Sequence, residues 1–340
     1  MSDKQKGEFH RTCTAAFSKL DQQHEPDPNT SDLAIVLNDL HSLLTLIYSL
    51  TTKLSLALKP SSPTYSASLP VLQDLAKYTS DIVHCISLLH GGTLIKDTTD
   101  IVKGIVDALH TLVQNFLDLA SAPSVATAGE DYLVRTATLH DLITSAQGST
   151  GIPKDNQSAV RKHWKCNKES LDDGLTEVAR MIEEGDNDDQ EDGFDDGWDE
   201  LGLGGTNPMN KEELNRAKSV HQILRLTTLL HKRILLDLLS STPPEPISNI
   251  AYDFLLMQSN LLLSTSDDLV ATLYSPQEPA SVHQEVVALM TIVTELHNQV
   301  QAFFPVVDVI QDGSKAGKKW FNTCFDQISR LSAKFTSSEK

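Results

Sequence analysis

An all-α fold, with helical bundles in two parts joined by an acidic flexible linker, follows from three features of the sequence. Apolar residues recur at steps of three and four along most of the chain, the rhythm of one helix face. Gly 16 and Pro 14 are too few for the frequent turns of a sandwich or barrel. A block of carboxylates near residue 190 separates two periodic halves. With 340 residues, 40% of them apolar, the chain can build one large domain or two ordinary ones.

The first helix carries Leu33, Leu37, Leu40, Leu44, Ile47, Leu50, Leu54 and Ala57 on one stripe. Thr30 or Ser31 caps its start and Pro60 follows its end. The second is expected from about Pro70 to His90, stopped by Gly91 and Gly92. Ile101, Ile105, Leu109, Leu112, Phe116 and Leu119 define the third. A weaker stripe, Tyr132, Thr136, Leu139, Ile143 and Ala146, defines the fourth. Pro153 and Asp155 open a fifth helix, whose Val160, Trp164, Leu171, Leu175, Val178 and Ile182 run to about Glu184. Helices resume at Asn210 with Val220, Ile223, Leu230, Ile234 and Leu238, ended by Pro243, Pro244 and Pro246. The segment Ile247 to Tyr274 is expected to break near Ser264–Ser266, where Thr265 and Asp268 have capping-box spacing. Val286 to Phe303 and Phe321 to Phe335 give the last two stripes. No such stripe stays buried alone, and antiparallel bundles cover them all.

Between Glu183 and Glu200 stand 11 carboxylates and no basic residue, leaving −7 of the total −18 for everything else. Such a block repels itself and cannot bury a core, so 185–208 reads as an acidic linker. The expected organisation is then a disordered arm (1–29), an N-terminal bundle domain (30–184), the linker, and a C-terminal helical domain (209–336). The fifth helix is long enough to be shared between the two parts.

Charge and composition exclude several functions. Lys+Arg 28 against Asp+Glu 46 disfavours a broad phosphate-binding face, so no direct nucleic-acid contact is expected. No apolar run is expected to approach the roughly 18 residues of a membrane span, and the N-terminus has no secretory apolar region. Cys13, Cys85, Cys166 and Cys324 lie far apart with no CxxC, which suits a reducing compartment.

Chemistry-bearing patterns are sparse. Twelve histidines occur, six of them after a leucine, yet no two stand three or four apart and no Glu-x-x-His is present. Asp81 with His84 and Asp107 with His110 are the nearest approach to a metal pair, and structural roles are expected for both. There is no GxSxG or SxxK. Leu201 to Gly205 lacks the lysine of a phosphate loop, and Lys315, Lys318 and Lys319 beside Trp320 read as a helix start. Asp188, Gln190, Asp192, Gly193 and Asp199 imitate a calcium loop, with a weak third ligand and no final Glu. No enzyme activity, cofactor or metal is expected. The candidate site lies inside the acidic run: Phe194, Asp195, Asp196, Trp198, Asp199, Glu200 and Leu201. Apolar anchors within carboxylates mark a segment that folds on a partner or back onto its own bundle.

Four segments carry a resemblance. Ile152-Pro153-Lys154-Asp155-Asn156 opens a long helix; Gly92-Thr93-Leu94 leads into Asp100-Ile101-Val102; Ser266-Asp267-Asp268-Leu269 precedes Tyr274 and Pro276; and Trp320 to Leu331 forms the final helix. In this order, with an acidic linker between halves, they resemble the cyclin-D-binding protein family, also called GCIP or Maid-like proteins. The resemblance implies an all-helical fold, residence in cytoplasm and nucleus, and regulatory binding to D-type cyclins and helix-loop-helix proteins in cell-cycle control. No basic region precedes a helix-loop-helix here, so direct DNA reading is not implied. A structural adaptor of the vinculin or talin sort is the alternative that the helical pattern leaves open.

Overall fold

The computed structural model describes residues 32–121, 131–187, 209–241, 246–304 and 312–338. Among these residues every element is helical and none is a strand. In chain order the helices are α1 Leu33–Ala57, α2 Tyr65–Ser87, α3 Gly92–Ser121, α4 Asp131–Gln147, α5 Asn156–Asn187, α6 Lys211–Ile234, α7 Asn249–Ala271, α8 Pro279–Gln301 and α9 Asp312–Ser338. The chain divides into two compact units, 1–159 and 160–340. That division falls in the first turn of α5, which is therefore shared between the units. The domain boundary expected from the sequence lies at the other end of the same helix.

In the first unit α1 packs on α2 and α4, and α3 on α2 and α4, so four helices close a ring in chain order. Leu40, Leu44, Ile47 and Leu54 of α1 are fully buried, together with Leu75, Ile82, Leu94, Ile105, Leu109, Leu112, Leu139 and Ile143. By length and mean hydropathy α1 would suffice to cross a bilayer, contrary to the expectation from the sequence; one apolar stripe faces this core, while Ile35, Leu46 and Leu56 are exposed. Polar stitches join α1 to α4. Ser55 Oγ and Thr136 Oγ1 lie 2.7 Å apart, and Gln147 Nε2 donates to the His41 carbonyl at 2.8 Å.

In the second unit α6 packs on α9, α9 on α8, and α8 on α7. Side chains of α5 close the circle against α6 and α7. The core here comprises Val160, Trp164, Val178, Val220, Ile223, Ile234, Leu255, Leu262, Leu269 and Phe321, among others. α6 opens with a complete capping box: Asn210 accepts from the Glu212 and Glu213 amides at 2.9 Å, and Glu213 accepts from the Asn210 amide. It ends in a single wide turn, Leu235–Leu239, with i→i+5 bonding.

Several boundaries differ from expectation. α1 is capped by Asp32, which accepts from the Ala34 amide at 3.0 Å, while Thr30 and Ser31 lie outside the described residues. α2 starts at Tyr65, so Pro70 stands inside it. The bond this removes would have gone to the carbonyl of exposed Ser66, near the helix start, where water can substitute. α7 does not break at Ser264–Ser266 but runs unbroken to Ala271. Leu262 and Leu269, both fully buried on one face, hold the intervening turn helical, because burial outweighs the weak local preference of Ser and Thr. α5 continues three residues beyond Glu184, and most of the linker lies outside the described residues.

Candidate functional site

Phe194, Asp195, Asp196, Trp198, Asp199, Glu200 and Leu201 all lie outside the described residues, as does the calcium-like loop. Among the described residues no group of three His, Cys, Asp or Glu side chains is placed to hold a metal. Three of the described histidines stack on aromatic rings. His297 stacks on Phe325 at 4.2 Å, and His140 stacks on Tyr48 at 3.8 Å. Cys85 and Cys324 are buried, and burial pushes the Cys324 thiol up to about 11. Cys166 is exposed.

One polar seam crosses the second core. The Trp164 indole lies flat on the His231 imidazole, centroids 4.2 Å apart, and donates through Nε1 to the His231 carbonyl at 3.0 Å. His231 Nε2 lies 2.7 Å from Ser259 Oγ, which also accepts from Asn167 Nδ2 at 2.9 Å. Asn167 reaches on to Asn260 Oδ1 at 2.7 Å. Three helices, α5, α6 and α7, thus share one hydrogen-bonded chain. Burial first, then the nearby Lys168 ammonium, pulls the His231 imidazole down to about 3, so it is neutral at physiological pH. The seam is buried at Trp164, His231 and Ser259, reaches the surface through Asn167 and Asn260, and fixes the register of the three helices.

The segments singled out in the sequence have definite positions. Asp155 accepts from the Ser158 amide at 2.7 Å, capping α5. Asn156 turns the other way and accepts, through Oδ1, from the Leu94 amide at 2.9 Å, so it caps the start of α3. Gly91 makes room for it. Its φ of 108° is left-handed, and a Cβ there would lie 2.5 Å from Asn156 Cγ. Two segments 62 residues apart are one joint. Ser266 and Leu269 are buried in α7, and Tyr274 donates from its hydroxyl to Glu177 of α5. The loop that follows is tied to α6 through Glu213, which accepts from the Gln277 amide at 2.8 Å. Burial alone would raise the Glu213 carboxyl, but hydrogen bonds from the Gln277 and Asn210 amides and Ser275 outweigh it and lower it.

One surface feature that core packing does not explain is on α7. Ile250, Phe254, Met257 and Leu261 step by four, three and four, and stand between 42% and 67% exposed. They lie opposite Leu255, Ser259, Leu262 and Ser266, which face the core. α7 is therefore apolar on both faces, and its outward stripe is the pattern by which a helix engages a partner groove or a partner helix. The sequence contained the signal: Ile250 to Leu263 has more apolar residues than one buried stripe can absorb.

No curated protein matches the chain. Family comparison does: the N-terminal domain described as Grap2 and cyclin-D-interacting matches residues 39–184, and the corresponding C-terminal domain matches residues 194–298. The first match ends within the last turn of α5, and the second takes in α6, α7 and most of α8. With both halves matched in order across an all-helical chain, this protein belongs to the Grap2 and cyclin-D-interacting family.

Proposed function

We propose that this protein is a non-enzymatic regulator that holds partner helices on the outward face of α7, with D-type cyclins or helix-loop-helix proteins as partners. In this reading it works in cytoplasm and nucleus, tunes cell-cycle progression and transcription through protein contacts, and touches neither nucleic acid nor membrane. The supporting observation is the exposed stripe Ile250, Phe254, Met257 and Leu261 on a helix whose opposite face is already buried. The family's name suggests the cyclin part of this partner class, and the resemblance described above suggests the helix-loop-helix part. The acidity of the chain, −18 overall, argues against phosphate binding.

Phe254 is the largest side chain of the stripe and its natural anchor. Phe254→Asp paired with Met257→Asp is expected to weaken capture of a purified D-type cyclin or helix-loop-helix partner at least about 30-fold, the scale of losing an interface hot spot of about 2 kcal/mol. Thermal stability should stay within about 1 °C, because neither residue contributes to the core. Titration by calorimetry alongside thermal unfolding checks both. Undiminished affinity in a folded double variant would reject α7 as the binding face.

A further inference from the structure

A second outward face, on α6, has a different chemistry. Lys211, Lys218, Arg225 and Lys232 recur every seven residues, and Gln222, Leu229 and Leu236 follow at four beyond each of the last three. Such spacing places all of them on one side of the helix. The side opposite contains the buried Val220, Leu224, Thr227 and His231. Leu229 is 42% exposed and Leu236 51% exposed, with exposed Arg225 and Lys232 between and beside them. This is an apolar pair within a basic strip, on a chain that is strongly acidic overall.

The acidic run of the sequence begins at this strip. Asp186, in the last turn of α5, makes an ion pair with Lys218 at 2.6 Å. Beside it a Cβ placed on Gly185 would meet Leu214 Cδ1 at 3.1 Å and the Cβ of Met209 at 3.6 Å. The chain therefore departs after Asn187 and returns at Met209 in nearly the same place, at one end of the α6 face. Trp198 stands 11 residues from each of those ends. Eleven residues span up to about 36 Å when extended. From Lys218 the helix rise gives about 16 Å to Leu229 and about 27 Å to Leu236. From Met209, the other end, Leu229 is about 30 Å away and Leu236 about 40 Å, so Leu229 is within reach of Trp198 from both sides and Leu236 only at full extension.

We propose that the outward face of α6 is the docking site of this chain's own acidic segment. Phe194 and Trp198 cover Leu229, with Leu236 at the limit of reach, while Asp195, Asp196, Asp199 and Glu200 face Arg225 and Lys232; the neighbouring Arg233 is already paired with Asp237 at 2.6 Å. Three arguments select this occupant over a second copy or a foreign acidic helix. Its charge is complementary to the strip, its first carboxylate beyond the α5 glutamates is already paired there, and its tether holds it close at an effective concentration on the order of millimolar. The α7 stripe is a different surface, and its test above has a separate readout.

Photo-crosslinking of the full chain decides the matter. A benzophenone amino acid in place of Trp198 is expected to join mainly to residues 225–236 of the same chain, read by mass spectrometry of the peptides. Leu229→Asp with Leu236→Asp should lower that yield at least tenfold, and Arg225→Glu with Lys232→Glu should lower it and abolish its salt dependence. All four residues are exposed, so both pairs should fold, which thermal unfolding verifies. Products joining two copies, products on α7, a yield indifferent to both variant pairs, or no intramolecular product would each overturn the proposal.

Discussion

His231 shows how one residue can serve structure while carrying an acid-sensitivity of its own. Its folded imidazole is pulled down to about 3, against an ordinary value of 6.5. Above pH 6.5 neither folded nor unfolded chain binds a proton there, and stability is unaffected. As pH falls below 6.5 the unfolded chain takes up a proton that the folded chain refuses, so stability falls by about 1.4 kcal/mol per unit until roughly pH 3. His221 and His297 are also lowered, burial being the main cause in each, and contribute with the same sign. Glu213 acts at lower pH: its lowered carboxyl stabilises the fold above its ordinary 4.5, and that contribution is lost as pH falls through its folded value. Between pH 6.5 and 5 the histidines therefore act alone among these groups. Urea titrations of wild type and His231→Phe across that window should differ in slope by close to one proton. Equal slopes would show that His231 is protonated in place. None of this was legible beforehand, since the six Leu-His pairs look alike in sequence, and only the Trp164 stack and the Ser259 contact distinguish this one.

At the scale of elements, the joint between α3 and α5 is an exacting contact of the first unit. Gly91→Ala places a Cβ against Asn156 and on a left-handed backbone, while Asn156→Ala strips the cap from the Leu94 amide. The second change should cost about 1 kcal/mol, the usual loss of a cap, and the first more, because strain and collision add. In the double variant the collision disappears, so its cost should fall short of the sum by at least about 0.5 kcal/mol. Denaturant unfolding of the three variants measures this, and strict additivity would mean that the two residues do not meet. The sequence exposed both ends of this joint as separate helix starts, but not their contact, which is tertiary. Helix identity was otherwise readable wherever one apolar stripe dominated. It misled at Ser264–Ser266, where the partners that bury Leu262 and Leu269 come from elsewhere in the fold, and at Pro70, which a helix start can accommodate. The outward stripe of α7 was missed for a related reason. Two apolar faces on one helix blur the period that reveals either.

For the whole molecule, the two cores have no residue in common among those described: one ends with Ala159 and the other begins with Val160. A cavity should therefore act first on the unit that contains it. Ile143→Ala and Leu289→Ala each remove a fully buried side chain, at a cost of about 2 to 5 kcal/mol. Differential scanning calorimetry is expected to resolve two transitions, Ile143→Ala lowering one and Leu289→Ala the other. A single transition lowered by both would show that α5, continuous through the division, couples the units into one cooperative block.

The neighbouring positions of Gly185 and Met209 bear on how this protein can change. A chain that leaves and re-enters a bundle at one point adds little to the fold by its length, since each doubling of such an excursion costs only about 0.6 kcal/mol. The stretch between them is thus a place where residues can be gained, lost or exchanged while the helices keep their partners. That stretch can be rewritten in small steps, with the α5 and α6 ends acting as a fixed clasp for whatever descent or an engineer threads between them.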